Sequence, residues 1–420
     1  MPFLPRIAVV GGGPSGLALG LQLQQRGFRP TIYELRSKPT AQELAKPSGM
    51  LDLHEESGLR VMQECGLWDG FQAAVGDCSE ACRVFNPQGT VLHTDEGELS
   101  TRPEIPRNAL TSLLIDKLSE DCVKWNHKIT GVRDAHNQTT GATEITLDLG
   151  VNGSETYDFV VGADGAWSRV RKLLTDVKPF YSGAQFLTVT VRNASTEFPH
   201  LVSLNGSGTI SALGGGNGIM THRGPQDSIR VYAAVSTPYE HWVQAAGLDG
   251  KTATEVKTML LADDALFGKW APKLQDLLAT ACDEDTKDNP GPADILPLYM
   301  LPVGHRWKHR AGVTLIGDAA HLMTPWAGEG VNLALWDSLE LAHILGAIPE
   351  VEDAAGWEAA LEPRMREFEE GMLTRAQEKA EETAQNKDMF LSENGGQAMA
   401  DFFKAAYGDM AGARGEVEGQ

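Results

Sequence analysis

The chain has 420 residues, and its 36 Lys and Arg against 57 Asp and Glu give a formal net charge of −21. Its length allows one large domain or two fused ones, and its acidity argues against binding to nucleic acid or to an anionic membrane. Five scattered cysteines predict reduced thiols and no metal site, and the absence of a long apolar run or signal-peptide pattern predicts a cytoplasmic protein.

The first predicted element is a strand, a glycine turn and a helix. RIAVV (6–10) has the pattern of a buried parallel strand, and Gly11, Gly13 and Gly16 follow it as G-x-G-x-x-G. Gly11 permits a tight turn, Gly13 lets the backbone approach a pyrophosphate, and Gly16 lets the helix pack on the strand. A second strand ends at Glu34, whose carboxylate is suited to ribose hydroxyls. This order predicts dinucleotide binding and leaves NAD and FAD open.

The middle of the chain adds a third strand and a β-rich region. DFVVGA (158–163) reads as a buried strand that ends at Asp164-Gly165, with Ser168 as the cap of the next helix. Residues 179–294 contain several short β-patterned runs between glycine turns, which predicts a separate sheet. Within that region, residues 252–285 are predicted to be helical and acidic.

The last third of the chain returns to the first pattern. VTLIG (313–317) reads as a strand followed by Asp318, and the turn PWAGEG (325–330) leads into a helix over 331–345. Because ligands of open α/β sheets bind beyond the carboxyl ends of the strands, these elements together exceed what NAD alone requires. Apolar residues spaced by three or four predict a long amphipathic helix over 353–390.

Three motifs together resemble the FAD-dependent aromatic hydroxylases, the group A flavin monooxygenases. They are Gly11–Gly16, Asp164-Gly165 and the GDAAH of Gly317–His321, and the resemblance spans most of the chain. The segments nearest to the tetracycline-inactivating branch are GMLDLHEESG (49–58), PEIPRNAL (103–110), GDAAHLMTPWAGEGVN (317–332) and ETAQNKDMF (382–390).

The resemblance implies an α/β fold with a Rossmann-like FAD-binding domain of the kind found in p-hydroxybenzoate hydroxylase. That domain is expected to be discontinuous, over residues 1–75, 100–178 and 295–345. A β-rich substrate domain would take 76–99 and 179–294, a bridging C-terminal helix 346–405, and a disordered tail 406–420.

The resemblance also implies how FAD is held. Glu34, at the end of the second strand, would bind the adenosine ribose, and Arg107, at a helix start, would reach the phosphate or ribityl region. Asp318 would accept a hydrogen bond from a ribityl hydroxyl or cap the next helix. Backbone N–H groups after PWAGEG stabilise the anionic pyrimidine edge of reduced flavin, so Glu329 is expected to point to solvent. The implied cofactor-binding residues are Gly11, Gly13, Gly16, Glu34, Arg36, Asp52, Arg107, Asp164, Asp318, Pro325, Gly328, Gly330, Val331 and Asn332.

Other roles follow from the same resemblance. Lys46 is the expected contact to NADPH, with NADH as the other possibility, and Trp326 and Met389 are expected in the substrate pocket. Trp326 as core filling and the long helix as ordinary packing are the structural alternatives. His54 and His321 are predicted to be structural, and no catalytic acid or base is assigned.

The implied activity is NAD(P)H-dependent insertion of one oxygen atom of O2, through a flavin C4a-hydroperoxide, into an aromatic or polycyclic small molecule. Epoxidation, Baeyer–Villiger oxidation and oxidative rearrangement by the same chemistry stay open. An FAD oxidase, a plain NAD dehydrogenase and a flavin-binding sensor are the remaining alternatives. The sequence does not identify the substrate or the oligomeric state.

Overall fold

A computed structural model describes residues 3–75, 79, 81–97 and 103–415. The predicted domain boundaries near residues 76 and 100, Cys78 and the end of the predicted tail at 416–420 lie outside the described residues. The strands are β1 Ile7–Val10, β2 Thr31–Tyr33, β3 Met50–Asp52, β4 Cys82–Phe85, β5 Val91–Asp95, β6 Glu104–Pro106, β7 Val123–Lys124, β8 Gly131–His136, β9 Thr143–Asp148, β10 Ser154–Tyr157, β11 Phe159–Gly162, β12 Phe180–Val191, β13 Thr209–Gly214, β14 Asn217–Gly224, β15 Ser228–Ser236, β16 Asp294–Met300 and β17 Val313–Leu315.

Helices occupy most of the connections between these strands. They are α1 Pro14–Gln25, α2 Ala41–Leu44, α3 Arg60–Glu64, α4 Trp68–Ala74, α5 Arg107–Lys117, α6 Arg171–Leu174, α7 Ala194–Glu197, α8 Pro199–Asn205, α9 Trp242–Ala245, α10 Ala253–Ala262, α11 Pro272–Asp288, α12 Asp318–His321, α13 Gly330–Gly346, α14 Ala354–Phe390 and α15 Gly395–Gly415. The predicted α/β class and the long C-terminal helix are confirmed. Within the described part of the chain, no helix is long and apolar enough to cross a membrane.

A parallel five-stranded sheet has the order β17-β11-β1-β2-β7. Its three neighbouring strands β17, β11 and β1 are buried on both faces, as expected when helices cover a parallel sheet. In register, Val10 lies beside Tyr33 and Gly162, and Gly162 lies beside Leu315. The turns that follow β1, β2, β11 and β17 therefore meet at one edge, which we call the C-terminal edge of the parallel sheet.

A second sheet of seven strands has the order β16-β12-β15-β14-β13-β4-β5 and is antiparallel except where β13 meets β4. Alternation along the strands gives it two different faces. One face carries buried aliphatic residues such as Leu187, Val231 and Ile219, packed with apolar residues of α8, α10 and α11. The opposite face carries Phe186 and Tyr232, among others, and belongs to the candidate site.

Strand β16 corrects the predicted domain boundary. Residues 295–300 were expected in the cofactor-binding segment, but β16 pairs with β12 at the edge of the seven-stranded sheet. The apolar run in this strand suits either sheet, and only pairing with a strand more than 100 residues earlier decides between them.

Helix α14 matches the predicted long helix. Its apolar stripe is buried against the core of the parallel sheet, where Phe159 contacts Trp357 edge to face at 6.0 Å. The predicted stripe residues that are buried are Trp357, Leu361, Met365, Phe368, Met372, Ala376 and Ala380. The structure continues α15 to Gly415, where the sequence predicted a disordered tail from residue 406.

Candidate active site

The glycine turn after β1 is shaped by two close approaches. Gly11 has φ +112°, and a Cβ at this position would lie 2.1 Å from the carbonyl oxygen of Ala163. A Cβ at Gly16 would lie 2.0 Å from the carbonyl oxygen of Gly11. A Cβ at Gly13 would meet nothing within 4 Å, so Gly13 borders open space at the start of α1. The turn thus brings the N-terminus of α1, with its free N–H groups, to the C-terminal edge.

Glu34 is buried directly beside this turn. Its Oε2 accepts the N–H of Gly12 at 2.7 Å, and its Oε1 accepts the backbone and Nε N–H groups of Arg36 at 2.8 and 2.9 Å. Burial alone would raise the pKa of the Glu34 carboxyl, but these hydrogen bonds outweigh it and lower the pKa. Glu34 is therefore an ionised acceptor at the end of β2, and Arg36 is held mainly by that carboxylate.

Asp164 follows β11, and its carboxylate accepts hydrogen bonds from residues of its own loop. Its Oδ1 accepts the hydroxyl of Ser168 at 2.5 Å, and its Oδ2 accepts the N–H of Arg169 at 2.6 Å. The hydroxyl oxygen of Ser168 accepts the N–H of Arg171 at 2.9 Å, but the N-cap residue of α6 is Val170, so Ser168 is not the cap that the sequence predicted. Burial raises the pKa of the Asp164 carboxyl despite these bonds. This side chain shapes the loop beside Gly11.

Asp318 lies at the end of β17 and is exposed at the C-terminal edge. Gly317, with φ +58°, is the N-cap of α12, so Asp318 does not cap that helix. A Cβ at Gly317 would lie 3.0 Å from the hydroxyl of Ser15 and 3.2 Å from the Cβ of Ala334. The end of β17 is therefore wedged between the first turns of α1 and α13. Within the described residues, no hydrogen bond reaches the Asp318 carboxylate, and the desolvation of this carboxyl in dense surroundings raises its pKa.

A buried ion pair supports this strand end. His321 Nε2 lies 2.6 Å from Oδ2 of Asp337, and the same oxygen accepts the N–H of Gly317 at 2.9 Å. Burial alone would lower the pKa of His321, but the Asp337 carboxylate raises it overall. This contact ties the end of β17 to α13 and supports the predicted structural role of His321. Asp337 was missed, although an acid among the mostly apolar residues of α13 was a signal that could have found it.

Asn332 joins the start of α13 to the segment after β3. Its side-chain oxygen accepts the N–H of His54 at 2.9 Å, and its amide donates to the carbonyl oxygen of Asp52 at 2.9 Å. His54 Nε2 lies 3.1 Å from the carboxylate of Asp52. A Cβ at Gly328 would lie 3.3 Å from that carboxylate. Asp52 and the PWAGEG turn, more than 270 residues apart in sequence, are thus neighbours.

Arg107 and Lys46 border the same region. Arg107 is exposed at the first position of α5 and donates its N–H to the carbonyl oxygen of Gly49 at 2.9 Å. Its positive charge offsets part of the rise that desolvation causes in the pKa of the Asp318 carboxyl. Lys46 is exposed, and its carbonyl oxygen accepts the side-chain amide of Asn108 at 3.0 Å. Both cations are therefore near the start of α5.

Glu329 corrects a prediction. It was expected to face solvent, but its side chain is only 7% exposed and lies 2.7 Å from Nζ of Lys379 in α14. His54 Nδ1 lies 3.6 Å from its other oxygen. The prediction failed because the countercharge comes from a helix 50 residues further along the chain.

Aromatic side chains and methionines from both halves of the molecule meet next to this turn. Trp326 contacts Phe186 edge to face at 5.4 Å and Phe390 at 6.4 Å, and Phe186 lies 6.1 Å from the ring of Tyr232. Sheet register places Met220 opposite Tyr232. We call this set the aromatic cluster: Phe186, Met220, Tyr232, Trp326, Met389 and Phe390. The two predicted pocket residues are therefore together, and the other four needed the fold to be found.

These residues fit FAD in shape and in chemistry. Open space borders Gly13 and Gly330, and the first N–H groups of α1 and α13 have no partners within their helices. Asp318 and Arg107 add an exposed carboxylate and an exposed guanidinium between the two helix ends. In the part of the chain that the structure describes, no group of His, Cys, Asp or Glu could hold a metal ion.

Comparisons with known proteins agree with this geometry. The FAD binding domain family matches residues 6–261 and 268–356. Monooxygenase penA of Penicillium thymicola is 32% identical, covering 95% of this chain and 98% of its own length. Monooxygenase asqM of Emericella nidulans is 34% identical, covering 92% and 96%.

The fold and the site thus define a flavoenzyme. The chain belongs to the group A flavin monooxygenase family and is an FAD-dependent monooxygenase. The fold is also shared with a solved tetracycline-inactivating enzyme. The structure of tetracycline destructase Tet(55) matches with a TM-score of 0.65 and 18% identity over 94% of this chain and 92% of that one.

Proposed function

We propose that this monooxygenase inserts one oxygen atom of O2 into an aromatic or polycyclic small molecule and consumes NADPH or NADH. When bound, FAD supplies the redox chemistry that activates O2. The chain's own residues bind that cofactor, orient the substrate beside it and exclude water. We assign no catalytic acid or base.

The C-terminal edge of the parallel sheet is the proposed cofactor site. The N-terminus of α1 beside Gly13 suits the diphosphate because its free N–H groups and dipole favour negative charge. The ionised Glu34 suits the adenosine ribose, and the exposed carboxylate of Asp318 suits a ribityl hydroxyl. Arg107, as a planar guanidinium, suits phosphate or ribityl oxygens. Completing the proposed site are Gly11, Gly16, Arg36, Asp52, Asp164, Pro325, Gly328, Gly330, Val331 and Asn332.

The position of Trp326 carries the substrate proposal. This residue belongs to the turn that leads into α13, and its ring packs at 5.4 Å against Phe186 of the seven-stranded sheet. One side chain thus joins the proposed cofactor site to the aromatic cluster. An aromatic cluster of this kind favours a planar, apolar substrate. The Nε1 of Trp326 is buried without a hydrogen-bond partner in the described residues, so a substrate oxygen can accept its N–H.

The aromatic cluster also suits the exclusion of water. Trp326 and Phe390 are buried, and Met389 at the end of α14 packs with them. Water beside an activated oxygen species diverts the reaction from the substrate, so a dry pocket couples cofactor oxidation to oxygen transfer.

Lys46 is the proposed contact to the nicotinamide cofactor. It is exposed near the start of α5, where Arg107 also lies. A Lys46→Ala variant is expected to raise the KM for NADPH about fivefold, as for the loss of one partly exposed phosphate contact, and to leave FAD affinity unchanged. An unchanged KM would remove Lys46 from the proposal.

The proposed activity is tested with a panel of aromatic and polycyclic compounds. Purified holoenzyme is mixed with each compound and NADPH or NADH, in the presence of ¹⁸O2, and products are measured by mass. The proposal expects stimulated NAD(P)H oxidation and one ¹⁸O atom in the product. Stoichiometric H2O2 without labelled product would instead indicate an oxidase, and product structure separates hydroxylation from epoxidation and Baeyer–Villiger insertion.

The role of Trp326 is tested against a matched tryptophan. Trp326→Ala is expected to uncouple NAD(P)H oxidation from product formation and to raise the KM for the substrate at least tenfold, because a buried aromatic contact is lost. Trp167→Ala is the control, since Trp167 is 58% exposed outside the aromatic cluster. Equal coupling and KM in the two variants would contradict the proposed pocket.

A further inference from the structure

A polar stripe on α14 contacts the turn that precedes α13. Lys379, Thr383 and Asn386 are spaced by four and three residues, so they share one face of the helix. Thr383 donates its hydroxyl to the carbonyl oxygen of Thr324 at 2.7 Å, and Asn386 donates its amide to that of Trp326 at 3.3 Å. Lys379 makes the third contact, at 2.7 Å to the carboxylate of Glu329. The C-terminal helix therefore fixes this turn at three successive points.

The ammonium group of Lys379 balances the negative charge of the buried Glu329 carboxylate. Glu329 is the N-cap residue of α13 and its side chain is 7% exposed, so little water solvates the carboxylate. A second carboxylate, Asp52, lies against Gly328 of the same turn. Among the described residues, Lys379 is the only lysine or arginine whose side-chain nitrogen lies within salt-bridge distance of Glu329. The imidazole of His54 lies further away, at 3.6 Å.

Lys379 stays protonated in this place. Burial alone would lower the pKa of its ammonium group, but hydrogen bonds to Glu329 and Glu382 outweigh burial and raise the pKa. The 2.7 Å pair is therefore an ammonium–carboxylate ion pair with no net charge, set at the N-terminal end of α13.

We propose that Lys379 is a positioning residue that neutralises Glu329, so that the first turn of α13 can stabilise the negative charge of reduced FAD. This inference rests on the proposed placement of the flavin at that turn. An unpaired carboxylate there would oppose the added negative charge, because charges interact strongly in a poorly solvated site. Lys379 acts through Glu329, so its loss affects reduced FAD more than oxidised FAD.

The test measures cofactor affinity and reduction potential in substrate-free holoenzyme. Lys379→Met is expected to weaken binding of reduced relative to oxidised FAD about tenfold. For a two-electron couple this is a fall of about 30 mV in the flavin midpoint potential. Lys379→Arg is expected to retain the wild-type potential, and Glu329→Gln to shift it upward, because the ammonium then lacks its buried countercharge. The double variant Glu329→Gln/Lys379→Met is expected to return close to wild type.

Glu382→Gln is the matched control. Glu382 also lies near Lys379, at 3.1 Å, but its side chain is 44% exposed, so its loss should leave the potential unchanged. Equal potentials in wild type, Lys379→Met and Glu329→Gln would overturn the inference, and so would a rise in potential in Lys379→Met. If Lys379→Met does not fold, the midpoint potential of Glu329→Gln decides the proposal alone. An upward shift supports it, and an unchanged potential overturns it. If the potentials of the variants shift as expected but the wild type turns over no compound of the panel, the result counts against the proposed function and not against the role of Lys379.

Discussion

The carboxylate of Asp337 holds His321 Nε2 at 2.6 Å and the backbone N–H of Gly317 at 2.9 Å with the same oxygen. This one atom therefore fixes both ends of the short helix that begins with Asp318. Because the Asp318 carboxylate accepts no hydrogen bond within the described residues, its position depends on the support that Asp337 gives to this helix. The orientation of a proposed cofactor ligand is thus set by a residue that does not reach the cofactor site.

Replacing Asp337 should weaken both the fold and the cofactor site. We expect Asp337→Asn to lower the free energy of unfolding by about 3 kcal/mol, because it leaves a buried imidazolium without its countercharge. We expect the Kd for FAD to rise about tenfold as the Gly317–Asp318 turn loses its support. Urea unfolding and FAD fluorescence titration measure the two effects.

A second acid on the same helix provides the control. Glu340 pairs with Arg375 at 2.5 Å but its side chain is 35% exposed, so Glu340→Gln should change the unfolding free energy by less than about 1 kcal/mol. It should not change FAD affinity. A normal Kd for FAD in Asp337→Asn would show that Asp337 does not position Asp318.

Two glycines of the first turn should respond differently to the same substitution. In Gly16→Ala the new Cβ would lie 2.0 Å from a backbone oxygen, so we expect the unfolding free energy of the apoprotein to fall by about 2 kcal/mol or more. In Gly13→Ala the Cβ meets nothing and φ is −79°, so the apoprotein should keep its stability. The methyl group would instead obstruct the diphosphate and raise the Kd for FAD at least tenfold. Unchanged FAD binding in Gly13→Ala would move the diphosphate away from this turn.

His309 should make stability fall in mildly alkaline solution. Its ring nitrogens lie 2.8 Å from the carboxylates of Glu362 and Glu369 in α14, and these hydrogen bonds raise the pKa of His309 to about 9. Because this pKa lies above that of the unfolded chain, the stabilisation is complete below about pH 6.5 and is lost as pH rises through 9. We expect the imidazolium to contribute about 3 kcal/mol at pH 6.

The comparison with His309→Gln isolates this contribution. The difference in unfolding free energy between wild type and variant should be large at pH 6 and should shrink by pH 10. A difference that stays constant across this range would show that the charge of His309 does not stabilise the contact with α14.

Local patterns predicted the strands, the glycine turn and the acids that follow β2, β11 and β17. These features could be read because each depends on a few adjacent residues: Gly16 is needed since its neighbour Gly11 leaves no room for a side chain. The parallel order then brings the strand ends to one edge. The same logic predicted α14, whose apolar spacing continues over the whole helix.

Contacts between residues that lie far apart in the chain could not be predicted from the sequence. Glu329 was assigned to solvent because Lys379 lies on another helix, and β16 was assigned to the wrong unit because its partner strand is remote. Phe186 and Tyr232 alternate with buried residues in their strands, but only the register of the seven-stranded sheet shows that they line one face. Such residues require the fold, since their roles depend on which elements are neighbours.

We propose that FAD lies across the ends of β1, β11 and β17, with Asp318 as a direct ligand. Equilibrium titration of apoprotein with FAD, comparing wild type with Asp318→Ala, tests it most directly. A hydrogen bond from a ribityl hydroxyl to a carboxylate predicts that the variant binds FAD at least tenfold more weakly, with the unfolding free energy of the apoprotein unchanged or higher. Equal FAD affinity in the two proteins would contradict the proposed site.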